Sequence, residues 1–172
     1  STSKFLNMLA LLVLACLSIY VLDWIIRRVI LIISAQIATK TNTNFDNILV
    51  ANKLPRNVAH VVPLMLVERV TPIVFTDYKT VFDEVSIIVQ VAAVVLTLWI
   101  VRSLLNSIKD YLKTLPNLKD KPIDSYIQVF MIFAWAVGTI LVFAIITGIS
   151  IKQFLVGMGT ASAVIILVFK DT

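Results

Sequence analysis

Long uncharged stretches alternate with short charged ones along this chain. Four stretches carry no charged residue: 5–22, 85–101, 125–151 and 153–169, of 18, 17, 27 and 17 residues. A helix crossing the hydrocarbon needs about 20 mostly apolar residues, because it rises about 1.5 Å per residue over about 30 Å. With their flanks, all four reach that length. A fifth stretch, 58–75, is apolar apart from His60, Glu68 and Arg69, and holds Pro63 and Pro72. An ionised residue at mid-depth costs about 2.5–3.5 kcal/mol, so hydropathy alone does not decide this one.

Loop charges decide it. With five spans, the cations fall as one in the N-terminal tail (Lys4), then five (Arg27, Arg28, Lys40, Lys53, Arg56), one (Lys79), five (Arg102, Lys109, Lys113, Lys119, Lys121) and one (Lys152). That alternation obeys the positive-inside rule with the N-terminus outside and the C-terminus cytoplasmic; four spans would put the two rich loops on opposite sides. The expectation is an all-α integral membrane protein with spans near 5–26, 58–76, 84–106 and 124–148 in a peripheral unit (1–150), then a last helix over 151–172.

The connections carry their own patterns. Arg27 and Arg28 follow the first span and are expected to anchor it at the interface, together with Lys53 and Arg56, against lipid headgroups. Asp23 lies one helical turn before Arg27, in position to pair with it. Apolar character continues to Ile37, so the first helix is expected to run past the bilayer edge or bend along it. Thr43 and Asp46 are spaced roughly as a capping box. Phe45, Ile48 and Leu49 then predict a short amphipathic helix on the inner surface, ended by Pro55. The third connection, 109–124, with Pro116 and Pro122 among charged side chains, predicts a solvated turn.

Composition agrees. Of 172 residues 59% are hydrophobic and 15% charged, and mean hydropathy is +0.97, against about 45–50% apolar and 25% charged in soluble domains. A soluble fold of this size cannot hide so much apolar surface. The net charge of +5 sits in loops and forms no nucleic-acid patch. Cys16, the one cysteine, cannot form an internal bridge. The first apolar run exceeds the 7–15 residues of a signal-peptide core. One histidine, no metal-ligand cluster and no carboxylate pair at catalytic spacing within a span lead us to expect neither an enzyme nor a bound cofactor.

The last span differs from the others in its small residues. At about 100° per residue, Gly157 and Ala161 share one face, and Gly159 and Ala163 another about 200° away. Small residues let membrane helices approach closely. Two such faces suit a closed ring of identical helices, one for each neighbour; the alternative is packing inside a monomeric bundle. Between them, Phe154, Met158, Ile165 and Phe169 form a bulky apolar arc suited to the outer helices. Gln153, Val156, Thr160, Leu167 and Asp171, with Ala163 and Val164 at the edges, form an arc suited to a water-filled lumen. Leu167 would narrow it, since a ring of apolar side chains can close a pore by expelling water. The sequence stops two charges after Val168-Phe169 with no turn signal, so we expect a pore helix cut where it leaves the membrane.

Residues 148–172, with Phe154-Leu155-Val156-Gly157-Met158-Gly159 and Val168-Phe169-Lys170-Asp171-Thr172, resemble the start of the pore helix in the small-conductance mechanosensitive channel family (MscS), and look closest to its five-span miniconductance branch. The stretches 43–50 and 54–62 and the layout of spans are also similar to that branch. The resemblance implies a homoheptamer in a bacterial inner membrane, its seven last helices lining a weakly selective pore. Membrane tension would open that pore to inorganic ions and small osmolytes under hypo-osmotic stress. Position by position, it puts the hydrophobic gate at Ala163 and Leu167. Alanine is smaller than the family's usual leucine, which leaves Leu167 as the larger ring.

Tension favours whichever state occupies more membrane area, so the interfacial segments 27–37 and 45–54 are the candidate force-bearing parts. Two other classes stay open. A secondary transporter subunit would draw on His60, Glu68 and Arg69, ionisable residues at membrane depth, although no inverted repeat is visible. A non-conducting membrane scaffold would need only the spans.

Overall fold

The computed structural model describes residues 2–40, 44–116, 118 and 121–170. Their regular structure is helical, with no strand among them. The order is α1 (Thr2–Lys40), α2 (Asn44–Ala51), α3 (Leu54–Ala59), α4 (Val61–Val74), α5 (Lys79–Thr114), α6 (Ile123–Thr147) and α7 (Ile151–Lys170). Five segments are long and apolar enough to cross a membrane: Ser3–Ile30, Leu54–Val74, Lys79–Thr114, Ile123–Thr147 and Ile151–Lys170. The chain is a multi-pass membrane protein by that measure.

The doubtful stretch is one of the five. It consists of α3 and α4, which meet at His60, whose backbone stays helical (φ −74°, ψ −12°). Pro55 opens α3 and Pro63 falls in the first turn of α4, where the missing N–H costs no hydrogen bond. Pro72 lies inside α4, so the helical hydrogen bond to the Glu68 carbonyl is absent.

Two ends of the bundle can be told apart by their contacts. At one, Lys4 Nζ lies 3.1 Å from Asp77 Oδ1, joining the start of α1 to the α4–α5 connection. At the other, Asn52 Nδ2 donates to Asp110 Oδ2 at 2.9 Å, and Phe45 meets Tyr111 edge-on at 5.0 Å between ring centroids. The two cation-rich connections therefore share one end.

The interior is small. Buried residues include Ala59, Leu98, Ser103, Ser107 and Ala144, with Gly138 on α6, and most are small. That is how membrane helices associate, because lipid solvates large apolar side chains as well as protein does. Gly138 sets the α5–α6 approach: a Cβ built there would stand 2.6 Å from Leu98 Cδ1. Along α1, the half-buried residues among those described are Met8, Leu11, Ala15, Ile19, Asp23, Ile26, Arg27 and Ile30, mostly at three- to four-residue spacing, the face it turns to α2, α3 and α4.

The structure decides three expectations about the connections and corrects the first two. The third connection does not begin at Lys109: α5 continues to Thr114, held by the Phe45–Tyr111 and Asn52–Asp110 contacts, and the turn starts at Leu115. Asp124 at the start of α6 closes that turn, with Lys113 Nζ at 2.6 Å and Lys109 Nζ at 4.0 Å. Second, α2 ends at Ala51 and not at Pro55; Lys53, with φ 60°, reverses the chain, and Pro55 then starts the next helix. Third, of the two courses open to the first helix, α1 takes the continuous one, unbroken to Lys40. Its 39 residues form one helix, about 58 Å long at 1.5 Å per residue. Asp46 stands in the first turn of α2, while Thr43, its expected capping partner, lies outside the described residues.

Candidate functional site: the last helix

The turn into α7 is set by Gly148 and Ser150. Gly148 ends α6 in the left-handed region (φ 68°), where a Cβ would cost about 1–2 kcal/mol. Two residues later a capping box opens α7. The Ser150 backbone N–H donates to Gln153 Oε1 at 3.2 Å, and the Gln153 backbone N–H donates to Ser150 Oγ at 3.3 Å. Gln153, read from the sequence as a lumen residue, thus has its side-chain oxygen engaged in starting the helix. The Ser-x-x-Gln spacing of residues 150–153 is the sequence signal of this box.

Beyond its first turn α7 leaves the bundle. Phe154 is half-buried, against Phe143 of α6 at 5.5 Å between centroids, and every other described residue of α7 is exposed. Of the bulky arc, Phe154 alone packs there; Met158, Ile165 and Phe169 are exposed. On the expected lumen arc, Val156, Thr160, Ala163, Val164 and Leu167 are also exposed, Leu167 at 66%. The Thr160 hydroxyl donates to the Gly157 carbonyl at 2.8 Å, so its hydrogen is satisfied within the helix. Asp171 lies outside the described residues.

The glycines separate into two pairs. The chain has four, and two are explained internally: Gly138 admits Leu98 and Gly148 turns the backbone. Gly157 and Gly159 have nothing within 4 Å of a built Cβ, and Ala161 on the same helix is exposed. A glycine inside a helix costs about 0.5–1 kcal/mol relative to alanine, and no contact among the described residues offsets that cost at either position.

The four anchoring candidates fall in different surroundings. Arg27 is half-buried and ion-paired with Asp23, whose other oxygen is 3.4 Å from His60 Nδ1. This cluster ties α1 to the α3–α4 junction, a contact sequence spacing showed only in its Asp23–Arg27 half. Arg27 Nε is buried without a hydrogen-bond partner among the described residues. Arg28 is exposed and stacks over the Trp24 ring at 4.9 Å, an arrangement suited to an interface. Arg56 is exposed on α3, and Lys53 borders a cleft between α2, α3 and α5. Glu68 and Arg69 are exposed on α4 and have no ion-pair partner among the described residues.

Compared with known protein families, with curated proteins and with solved structures, the chain matches none. What the fold and this helix define is a class: a multi-pass helical membrane protein with one membrane-length helix set apart from its own bundle.

Proposed function

We propose that this chain is the transmembrane part of a tension-opened ion channel, in which the α7 helices of several copies line a weakly selective pore. The copy number of seven, the bacterial inner membrane and the cytoplasmic placing of the C-terminus rest on the resemblance to the small-conductance mechanosensitive family and on the loop charges. The observation that carries the reading is that α7 is apolar, exposed along nearly its whole length, and small-faced at Gly157 and Gly159 with no side chain of the described residues against either. Such a helix finds its packing on other helices, and two small faces on nearly opposite sides close a ring. The remaining arc then faces a lumen that Leu167, with Ala163 one turn earlier, closes by dewetting.

The test is aqueous access. In a Cys16→Ala background, which removes the exposed native thiol, Thr160→Cys and Leu167→Cys are treated with a charged, membrane-impermeant thiol reagent during patch recording under suction. Tension-dependent current steps that the reagent alters support the channel. Thiols that stay unreactive in both resting and stretched membranes refute it. The unpaired Glu68 and Arg69 on α4 are what favours the transporter reading, and substrate flux without tension-dependent current would establish that instead.

A further inference from the structure

Where α2, α3 and α5 meet, a cleft of about 440 Å³ is lined by Asn52, Lys53, Asn57, Trp99, Arg102 and Asn106 among others. Its depth follows from the sequence. Arg102 is the first charge after the uncharged run 85–101, so it marks where α5 leaves the hydrocarbon. Trp99 stands one turn earlier, half-exposed at 51%, as tryptophans do at the interface. The cleft straddles the edge of the hydrocarbon.

Its chemistry is that of a receptor for a phosphate ester. The side chains of Lys53 and Arg102 have no hydrogen-bond or ion-pair partner among the described residues, and the nearby carboxylate of Asp110 is engaged by Asn52. The two asparagines are fixed by their amide nitrogens: Asn52 Nδ2 donates to the Ile48 carbonyl at 3.1 Å and to Asp110, and Asn57 Nδ2 to Ser103 Oγ at 2.7 Å. Their oxygens are left as acceptors. The site thus offers two cations to an oxyanion and amide oxygens to neighbouring hydroxyls. Lys53 is also the one non-glycine residue with positive φ among those described. Backbone strain of that kind gathers at ligand clamps.

We propose that this cleft binds the headgroup of an anionic phospholipid from the adjoining leaflet, a phosphodiester flanked by hydroxyls, with phosphatidylglycerol as the fitting class. Lys53 and Arg102 hold the phosphate, the asparagine oxygens accept from the glycerol hydroxyls, and Trp99 borders the path of the acyl chains. A choline headgroup offers no hydroxyl or N–H to the asparagines and carries no net negative charge. The site does not depend on α7 or on conduction.

The experiment uses the full chain, purified and delipidated in detergent. Native mass spectrometry counts retained lipid, and thermal unfolding follows added phosphatidylglycerol, phosphatidylcholine or soluble glycerol phosphate. Phosphatidylglycerol is expected to be retained and to raise Tm, the other two to do neither, and Arg102→Gln to weaken phosphatidylglycerol binding about tenfold or more. Lys53→Gly guards against a variant that fails to fold. It removes the cation while relieving the left-handed backbone, so its lipid-free Tm is expected to rise and its lipid-dependent shift to shrink. Equal shifts with phosphatidylcholine, or unchanged phosphatidylglycerol binding in both variants, would overturn the proposal. A shift from glycerol phosphate as large as that from phosphatidylglycerol would overturn the lipid source and leave a soluble phosphate ester as the ligand.

Discussion

Alanine placed at each of Gly138, Gly157 and Gly159 separates packing within the chain from packing between chains. At Gly138 the new methyl would stand 2.6 Å from Leu98 Cδ1 and 3.1 Å from its Cγ. Turning χ2 therefore does not clear it, and the whole Leu98 side chain, buried at 8% exposure, has to move. Overpacking of this kind costs about 1–3 kcal/mol, against a gain of up to about 1 kcal/mol from helix propensity. Gly138→Ala is expected to lower the Tm of the isolated chain in detergent, whatever its assembly state. At Gly157 and Gly159 no described atom beyond the adjoining helix backbone lies within 4 Å of a built Cβ, so in the isolated chain only the propensity gain remains and Tm is expected to hold or rise. In a ring whose helices touch at those glycines, each methyl costs about 1–3 kcal/mol per contact, which weakens each contact about five- to 150-fold. Subunit counting in lipid nanodiscs, by mass photometry or single-molecule photobleaching, reads that loss alongside Tm. Gly157→Ala and Gly159→Ala are expected to shift the count downward while sparing Tm, and Gly138→Ala to lower Tm. If both α7 variants assemble like the parent, the glycines are not contact points between copies, and the reasoning from α7 to a ring is refuted.

Two further substitutions probe the bundle itself. Gly148→Ala forces a Cβ into the left-handed region at φ 68° and is expected to cost about 1–2 kcal/mol; Gly148→Asn is expected to recover part of that loss, and equal Tm values for the two variants would contradict a backbone cause. Asp23→Asn removes the charge shared by Arg27 and His60 and is expected to cost about 1–3 kcal/mol, because the half-buried guanidinium loses its anion. An unchanged unfolding temperature would show that this cluster does not hold α1 to the α3–α4 junction.

What was legible in the sequence was local. The uncharged runs give the spans because their length is set by the bilayer and does not depend on their neighbours. The Asp23–Arg27 pair and the short helix around Ile48 follow from 3.6-residue spacing. What was missed depends on distant contacts. Helix α5 continues through Lys109 to Thr114 although charges crowd there, because Phe45 and Asn52 pack on Tyr111 and Asp110 from another part of the chain. His60 finds its partner Asp23 on α1, and no spacing rule links the two. Gly138 is one glycine in an apolar helix, with no pattern to mark the leucine it admits. The headgroup cleft collects side chains from α2, α3 and α5, so no continuous motif encodes it. At Gln153 the signal was local and two readings competed: its helical face suggested a lumen, while its spacing from Ser150 set a cap.

The contacts also constrain how a channel built from this chain transmits force. The described helices touch in a sequence: α1 lies on α2, α3 and α4, these lie on α5, α5 on α6, and α6 alone reaches α7. Tension acting on the lipid-facing helices therefore arrives at α7 through a single corner, made of Gly148, the Ser150–Gln153 cap and the Phe143–Phe154 contact. A lever of this kind needs a stiff arm and a defined pivot. The capping box stiffens the first turn of α7, and Gly148 supplies a backbone state that an ordinary residue would resist. On the far side of α5, the cleft between Lys53 and Arg102 ties the same helix to a lipid headgroup, so the leaflet grips the bundle at the element that carries α6. In the proposed channel, bilayer strain and pore geometry are thus joined through α5 and α6, and α7, which among the described helices touches α6 alone, is the helix that follows.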